Sequence, residues 1–298
     1  MLGTVAREKC LEDHTRHFPA HGPECILHSV TLSVVIITHN EEANLARTLA
    51  SVMPLVAEGK GEIIVVDSGS TDRTVEIAKS FGAKVFVEEW KGYAAQKNSA
   101  IDKATGDWIL SLDADEEVSG DVPDGLPEVS LPECLRAVDA DRGKKPYPVN
   151  LNGFLLRRRN HFLGRWIKHG GFWPDRKLRL FRNGLGRFEA RAVHETLKVD
   201  GTTRPINFDL IHHSYPTLSD YIDHMNRYSS LGAEMVVAKD KVGFSVINIV
   251  LRPLATFVYN YFFRLGFLDG REGLLLHLYH AVYVSSKYAK AWELSRQQ

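Results

Sequence analysis

The sequence predicts an α/β fold with a mainly parallel sheet flanked by helices, followed by a C-terminal helical region. From Thr31 onward, short β-branched runs alternate with helix-compatible stretches, an order typical of parallel sheets. The predicted strands are continuously apolar, as in sheets that helices cover on both faces. After Tyr215 the sequence becomes helical and increasingly apolar, and it remains so to Leu294.

The predicted elements begin with a strand over 32–37, after which Asn40 is a good N-cap for a helix over 41–56. The alternation continues through a strand over 62–66, a helix over 72–81, a strand over 84–87, a helix over 93–104 and a strand over 108–112. Residues 118–150 are rich in Pro, Gly, Asp and Lys, which predicts an extended surface excursion.

The composition, with 44% hydrophobic and 25% charged residues among 298, excludes a disordered, collagenous or disulfide-stapled chain. Lys and Arg total 37, as do Asp and Glu, so the overall charge implies neither an acidic nor a basic partner. The three cysteines form no Cys-x-x-Cys pair, which predicts neither a disulfide framework nor a zinc site and fits a reducing compartment. The N-terminal sequence lacks a signal-peptide core, so the predicted location is the cytoplasm.

Polar residues follow three of the predicted strands, and ligands of parallel sheets bind at the carboxyl ends of strands. These residues are Thr38, His39, Asn40 and Glu41 after the first strand, 67–72 after the second, and 113–117 after the fourth. Asp113 and Asp115 can converge on one hard cation, and Mg²⁺ or Mn²⁺ bound this way also binds phosphate oxygens. An ordinary acidic loop is the alternative there, and a capping loop is the alternative for Asp67.

Four consecutive motifs carry a resemblance to a known family. They are SVVIITHNEEANL, EIIVVDSGSTDRT, GYAAQKNSAI and GDWILSLDADE. In order and spacing they resemble the nucleotide-sugar-binding half of inverting GT-A glycosyltransferases of family 2. Two later segments resemble the branch that includes lipopolysaccharide core β-1,4-glucosyltransferases, namely DRKLRLFRNGLGRFEARAVHE and FFRLGFLDGREGLLLHLYHAVYVSSKYAKAWEL. The resemblance implies an extension over 1–30, a GT-A catalytic domain over 31–210 and a helical region over 211–298.

The same resemblance implies roles on the donor side. Thr38, His39 and Glu41 line the nucleoside pocket, and Asp67 hydrogen-bonds the base, with uracil as the first choice. A second set of residues is implied to bind the sugar and, through a metal ion, the diphosphate.

In that second set, Asp113 lies near the ribose and the sugar and belongs to the metal pair. Its partner Asp115 holds Mg²⁺ or Mn²⁺ on the diphosphate. Lys97 occupies a place from which a basic residue can reach the donor. A solvated lysine on a helix surface is the alternative for Lys97.

Inverting transfer requires a general base that removes the proton of the acceptor hydroxyl, and it requires no covalent nucleophile. Glu195 matches the family position of this base, and His194 orients it or binds substrate. Asp175 is the reserve candidate for the base. The alternative is structural, with Glu195 paired to an arginine and His194 a satisfied histidine.

A basic stretch extends over 157–191, where eleven Lys or Arg accompany only two carboxylates and give a local charge of +9. Its basic residues are Arg157, Arg158, Arg159, Arg165, Lys168, Arg176, Lys177, Arg179, Arg182, Arg187 and Arg191. Because one nucleotide diphosphate needs few cations, we expect an anionic glycan or glycolipid acceptor, which arginine binds in bidentate fashion. A solvated basic face is the alternative, and the sequence contains no nucleic-acid-binding module.

Charged residues interrupt the apolar C-terminal region before any run reaches the roughly 18 to 20 residues of a spanning helix. The interrupting residues are Arg252, Arg264, Asp269, Arg271 and Glu272. Aromatic-rich helices with basic residues between them are compatible with peripheral contact at the inner membrane. A helical cap on the sheet domain or on a second subunit is the alternative.

These patterns together predict a metal-dependent inverting hexosyltransferase. The expected reaction moves glucose from UDP-glucose to an anionic glycolipid or to a lipopolysaccharide inner-core acceptor. One alternative is a sugar-phosphate nucleotidyltransferase, but the Gly-rich, Arg-containing loop of such enzymes is missing after the first strand. The other alternative is a catalytically degenerate protein that binds nucleotides and membranes, against which the intact carboxylates argue.

Overall fold

The structure is a computed structural model of the chain, and it describes residues 31–119, 131–144, 147–189, 195–239 and 243–296. The expected N-terminal extension over 1–30 lies outside the described residues. Within these ranges, inter-residue contacts divide the chain into two compact units. The first unit contains residues 31–158, 176–189 and 195–211, and the second contains residues 159–175 and 212–296.

The described residues form eleven strands and seven α-helices. The strands are β1 (Leu32–Thr38), β2 (Gly61–Asp67), β3 (Lys84–Val87), β4 (Trp108–Asp113), β5 (Glu116–Val118), β6 (Leu151–Phe162), β7 (Arg165–Trp166), β8 (Asp175–Arg182), β9 (Gly186–Glu189), β10 (Thr196–Val199) and β11 (Thr202–Tyr215). The helices are α1 (Leu45–Val56), α2 (Thr74–Ser80), α3 (Tyr93–Asp102), α4 (Leu131–Ala140), α5 (Leu218–Val237), α6 (Arg252–Val258) and α7 (Gly270–Ser295).

The main sheet has the strand order β3-β2-β1-β4-β8-β6-β11-β5, with β7 paired to β6, while β9 and β10 form a separate pair. Strands β1 to β4 run parallel to one another, and β8 joins β4 in the antiparallel direction. Successive residues of β1 face two different cores, because Val34 and Ile36 pack in one and Val35 in the other. Both faces of this part of the sheet are therefore covered, and the predicted α/β class is confirmed.

Two local expectations are wrong. The first helix begins at Leu45 with Asn44 as its N-cap, four residues later than predicted, and Asn40 does not cap it. Asn40 instead has a left-handed backbone, with φ at 55°, and its side-chain oxygen accepts a hydrogen bond from the Thr71 N–H. Asparagine tolerates this conformation because its short polar side chain bonds locally, so Asn40 links two loops.

The predicted surface excursion over 118–150 is also wrong in part. It contains helix α4, whose Leu131, Leu135 and Val138 are buried in the first unit's main core. A helical spacing of apolar residues therefore lies within a polar stretch. Cys134 on this helix is disulfide-bonded, which the cysteine spacing did not predict. Residues 120–130 and 145–146 lie outside the described residues.

The second unit has a core of its own, centred on Phe162, Ile167, Tyr221 and Leu276. In this unit α5 packs along α7, and Thr217 caps α5 through a reciprocal capping box. Wider π-helical turns flank α6 on both sides. Across the described residues, no helix combines the length and the apolar content that crossing a bilayer requires.

Candidate active site

The carboxyl ends of β1, β2 and β4 meet at one edge of the sheet. In the strand register Thr38 lies opposite Asp67, and Ile37 lies opposite Asp113. Since the three strands are parallel, the polar segments that follow them begin side by side. The structure thus brings together the three segments that the sequence marked as ligand-binding.

Asp67 is completely buried and organises the loop that follows β2. Its Oδ1 accepts hydrogen bonds from the N–H groups of Gly69 and Ser70, at 3.0 and 2.8 Å. Its Oδ2 accepts from the hydroxyls of Thr38 and Ser70, at 2.9 and 2.5 Å. A carboxylate has about four acceptor positions, and these bonds use all of them. In this structure Asp67 shapes the edge by fixing its own loop.

The segment after β1 contributes residues of differing exposure. Thr38 is buried and donates its hydroxyl to Asp67, whereas His39 is exposed. The backbone N–H of Glu41 donates to the Thr74 hydroxyl at 2.7 Å, and its carboxylate accepts from Asn44 at 3.0 Å. Of the residues expected around the nucleoside, His39 and Glu41 have side chains accessible from this edge.

Lys97 is buried on α3, where it occupies the same helical stripe as Ala94 and Ile101. Its ammonium group donates to Asp113 Oδ1 at 2.8 Å and to Glu195 Oε1 at 2.7 Å. Burial alone would lower the pKa of Lys97, but the carboxylates, led by Asp113, outweigh burial and raise it. The alternative of a solvated helix lysine is therefore wrong.

Glu195 immediately precedes β10 and is half-buried beside Lys97. Burial opposes ionisation of its carboxyl group, yet the charge and hydrogen bond of Lys97 hold the pKa of Glu195 below its usual value. Glu195 is thus ionised at neutral pH, as a proton acceptor must be. Lys97 therefore joins the candidate base Glu195 to Asp113, the carboxylate predicted to lie near the sugar donor.

Glu116 and Arg179 brace the Asp113–Asp115 turn, and sequence reasoning assigned neither to this role. The Arg179 guanidinium bonds to Asp113 and, at 2.7 Å, to Glu116 Oε1. The other Glu116 oxygen accepts from the Asp113 N–H at 3.1 Å. Thr48 secures the middle of the turn by donating to the Ala114 carbonyl at 2.7 Å. The sequence signal for this arrangement was the order Asp-Ala-Asp-Glu directly after a predicted strand.

The charges at this edge suit a divalent cation. Burial, followed by the negative charges of Asp115, Asp72 and Asp113, raises the pKa of Glu41. Such crowded carboxylates are hard oxygen ligands. The two oxygens of Asp113 bond to Lys97 and Arg179, and Asp115 follows two residues later in the same turn. Within the described ranges, no group of three or more His, Cys, Asp or Glu side chains is arranged to hold a metal ion.

Two further predicted residues remain predictions at this site. Asp175 belongs to the second unit, where its Oδ2 accepts a hydrogen bond from Asn160 at 3.1 Å. His194 lies outside the described residues.

Much of the basic stretch over 157–191 is neutralised by carboxylates from other parts of the sequence. In the first unit these pairs are Arg157 with Asp209, Arg158 and Arg179 with Glu116, Arg182 with Asp139, and Arg187 with Asp102. Pairing of this kind fixes the fold and leaves less charge for a ligand than the local +9 suggests.

The sequence matches the model of the family described as "Glycosyl transferase family 2" over residues 33–142. Among curated proteins, it is 32% identical over 270 residues to an uncharacterized glycosyltransferase of Rickettsia typhi, covering 89% of this chain and 87% of that protein. It is 30% identical over 269 residues to the lipopolysaccharide core biosynthesis glycosyltransferase LpsC of Rhizobium meliloti, covering 88% of this chain and 92% of LpsC.

A solved structure with a similar fold is a mannosyltransferase from Pyrobaculum calidifontis in complex with GDP-Man and Mn²⁺. The alignment has a TM-score of 0.50 and 16% sequence identity, and it covers 89% of this chain and 88% of that one.

Proposed function

Because this chain belongs to glycosyltransferase family 2, we propose that it transfers a hexose, with glucose from UDP-glucose as the first choice, to an anionic glycolipid acceptor of the lipopolysaccharide inner-core type. The observation that carries this proposal is the cluster in which buried Lys97 joins Asp113 to Glu195. It couples a donor-side carboxylate to an ionised carboxylate that can receive a proton. The relationship to LpsC supports the proposed acceptor class.

On the donor side, His39 and Glu41 face the nucleoside, and Asp67 supports them by fixing its loop. To accept a hydrogen bond from the base, Asp67 would have to give up one of the four that it accepts now. Asp115, with Asp113 beside it, would hold Mg²⁺ or Mn²⁺ at the diphosphate. The Mn²⁺ in the structure of the mannosyltransferase supports this choice. When bound, the cation neutralises charge on the leaving diphosphate.

Glu195 acts as the general base in a single displacement. The acceptor oxygen forms a bond to the anomeric carbon while the bond from that carbon to the diphosphate oxygen breaks, and the hydroxyl proton passes to Glu195. This one-step route inverts the anomeric configuration. His194 assists as an orienting or binding residue, and Asp175 remains the reserve base.

We further propose that the second unit attaches peripherally to an anionic membrane through an apolar face over residues 244–268. Large apolar side chains of this face are exposed: Phe244, Val246, Ile247, Val250, Leu251, Leu254, Tyr259, Phe262, Phe263, Leu265, Phe267 and Leu268. Contiguous apolar exposure of this extent is typical of interaction surfaces. Exposed Arg252 and Arg264 lie within the same segment and complement anionic headgroups.

Sedimentation with phosphatidylglycerol vesicles tests the membrane proposal. Phe263→Ser, at a side chain that is 75% exposed, should weaken vesicle binding. Val87→Ser, at a 63% exposed position in the first unit, is the matched control and should not. Unchanged vesicle binding combined with a changed oligomeric state would assign this face to a second subunit.

Hydrolysis of a panel of UDP- and GDP-sugars, with and without a chelator, tests the donor proposal. We expect UDP-glucose to be hydrolysed fastest, with loss of activity in the chelator and recovery with Mg²⁺ or Mn²⁺. Preference for a GDP-sugar would reject the proposed donor, and full activity in the chelator would reject the metal.

A further inference from the structure

The hairpin formed by β6 and β7 in the second unit presents two contrasting faces. It turns at Leu163 and Gly164, both with positive φ, at 50° and 79°. His161 pairs with Trp166 across it, and a hydrogen bond of 3.0 Å from the Ile167 N–H to the Asn160 carbonyl continues the ladder. By the same register, residue 159 lies opposite residue 168.

Alternation along the hairpin separates its apolar and basic residues. Phe162 and Ile167 are buried in the second unit's core, at 2% and 1% exposure. Strand geometry therefore places the alternate residues on the opposite face. We call this second set the cationic face, and it consists of Arg159, His161, Trp166 and Lys168.

Trp166 holds the two permanent cations of the cationic face close together. The Arg159 guanidinium carbon lies 4.8 Å, and the Lys168 ammonium 4.3 Å, from the centroid of the Trp166 ring. The negative ring face attracts both, which offsets their mutual repulsion. Trp173 packs edge-on against Trp166 at 5.1 Å and fixes its orientation.

Two observations at the cationic face point to an anionic ligand. The indole Nε1–H of Trp166 is buried and has no hydrogen-bond partner among the described residues, a costly state that an acceptor oxygen would relieve. The Lys168 side chain is exposed, and its ammonium has no carboxylate partner within the described part of the chain. His161 stacks on His213 at 5.5 Å beside these groups, and its Nδ1 lies 3.2 Å from the Arg159 carbonyl oxygen.

We propose that the cationic face binds a phosphate group carried by a sugar. Arg159 and Lys168 both place a permanent positive charge beside the Trp166 indole, and the planar guanidinium matches phosphate geometry. This inference deepens the acceptor side of the proposed function, and it rests on that function only for the biological source of the sugar phosphate. Binding itself requires neither a donor nor turnover.

The test follows the Trp166 indole N–H by NMR in ¹⁵N-tryptophan-labelled full-length protein, with Trp166→Phe identifying the signal among five tryptophans. Titration with glucose 6-phosphate should shift this signal saturably, whereas glucose should not. Lys168→Gln and Arg159→Gln should each weaken glucose 6-phosphate binding at least tenfold. Arg165→Gln removes the same charge from the opposite face and should leave binding unchanged.

Three results would overturn the proposal: no saturable shift, equal weakening by Arg165→Gln, or tighter binding of glucuronate than of glucose 6-phosphate. A fourth would be loss of phosphatidylglycerol vesicle binding in Lys168→Gln with glucose 6-phosphate binding intact, because the face would then contact lipid headgroups. Donor hydrolysis by the same samples is a separate readout. Its failure counts against the proposed function, whereas failure of the indole titration counts against this site.

Discussion

Lys97 Nζ donates a hydrogen bond to Glu195 Oε1 over 2.7 Å, joining two residues that are 98 positions apart in the chain. The same ammonium bonds to Asp113. One buried cation therefore sets the charge state of the proposed base and holds a carboxylate of the proposed donor site. The following predictions test this arrangement and its supports.

Replacing Lys97 with Met should move the acidic limb of the pH profile of kcat/KM to higher pH. Only ionised Glu195 accepts a proton, so activity is lost as pH falls through its pKa, which Lys97 now holds below the usual value. Without Lys97, burial remains and raises that pKa. Lys103→Met at the C-cap of the same helix is the control, because the partner of Lys103 is Glu88. Superimposable profiles for wild type and Lys97→Met would rule out Glu195 as the titrating base.

Asp115→Ala should abolish metal-dependent transfer and greatly weaken Mn²⁺-dependent binding of UDP, because the variant lacks the carboxylate that joins protein to metal. The fold should be unaffected. Calorimetric titration of UDP with and without Mn²⁺ measures this, with Glu76→Gln on the exposed face of α2 as the control. Transfer that continues in a chelator would remove the metal role.

Asp67→Asn should weaken UDP binding and also lower stability, since the amide group cannot accept all four hydrogen bonds of the buried carboxylate. Each buried donor left unpaired costs about 1–3 kcal/mol. Thermal unfolding and calorimetry of the same variant measure the two effects. Weaker UDP binding with unchanged stability would indicate a direct contact with the base, and unchanged values of both would contradict the loop-fixing role.

Arg179→Met should destabilise the first unit, because it removes the 2.7 Å ion pair of the fully buried Glu116 and leaves Arg158, 3.4 Å away, as the cation paired with Glu116 in the described part of the chain. Breaking a buried ion pair from one side costs about 3–5 kcal/mol. Urea unfolding measures the change, and the matched control is Arg187→Met, whose partner Asp102 is exposed. In the double variant Arg179→Met, Glu116→Gln, part of the stability should return. If the losses of unfolding free energy in the two single variants simply added in the double variant, the proposed stabilisation by the Arg179–Glu116 ion pair would be contradicted.

The sequence was sufficient to predict the alternating strands and helices and the three strand ends that converge at the candidate active site. Periodicity and strand composition carry that information because they reflect burial on a sheet. The sequence did not reveal that Lys97 is buried, although its place in the apolar stripe of α3 beside Ala94 was a usable signal.

Long-range charge pairing is what local sequence could not predict. The basic stretch has a strong positive charge in the linear sequence, yet Arg157 forms an ion pair with Asp209, and Arg182 forms one with Asp139. Partners 52 and 43 positions away lie beyond any local window. The predicted start of the first helix is wrong because Asn40 does not cap it and instead bonds to Thr71, 31 positions away in the next loop.

Single-turnover transfer by Glu195→Gln tests whether Glu195 is the general base, because glutamine keeps the shape and most hydrogen bonding but cannot take the acceptor proton. General-base catalysis contributes roughly 10²- to 10⁴-fold, so the rate should fall by that factor while UDP-sugar affinity changes little. Near-native turnover in Glu195→Gln, with the loss appearing instead in Asp175→Asn, would contradict the account. A joint loss of donor affinity and fold stability would equally contradict it, and Glu195 would then be only the ion-pair partner of Lys97.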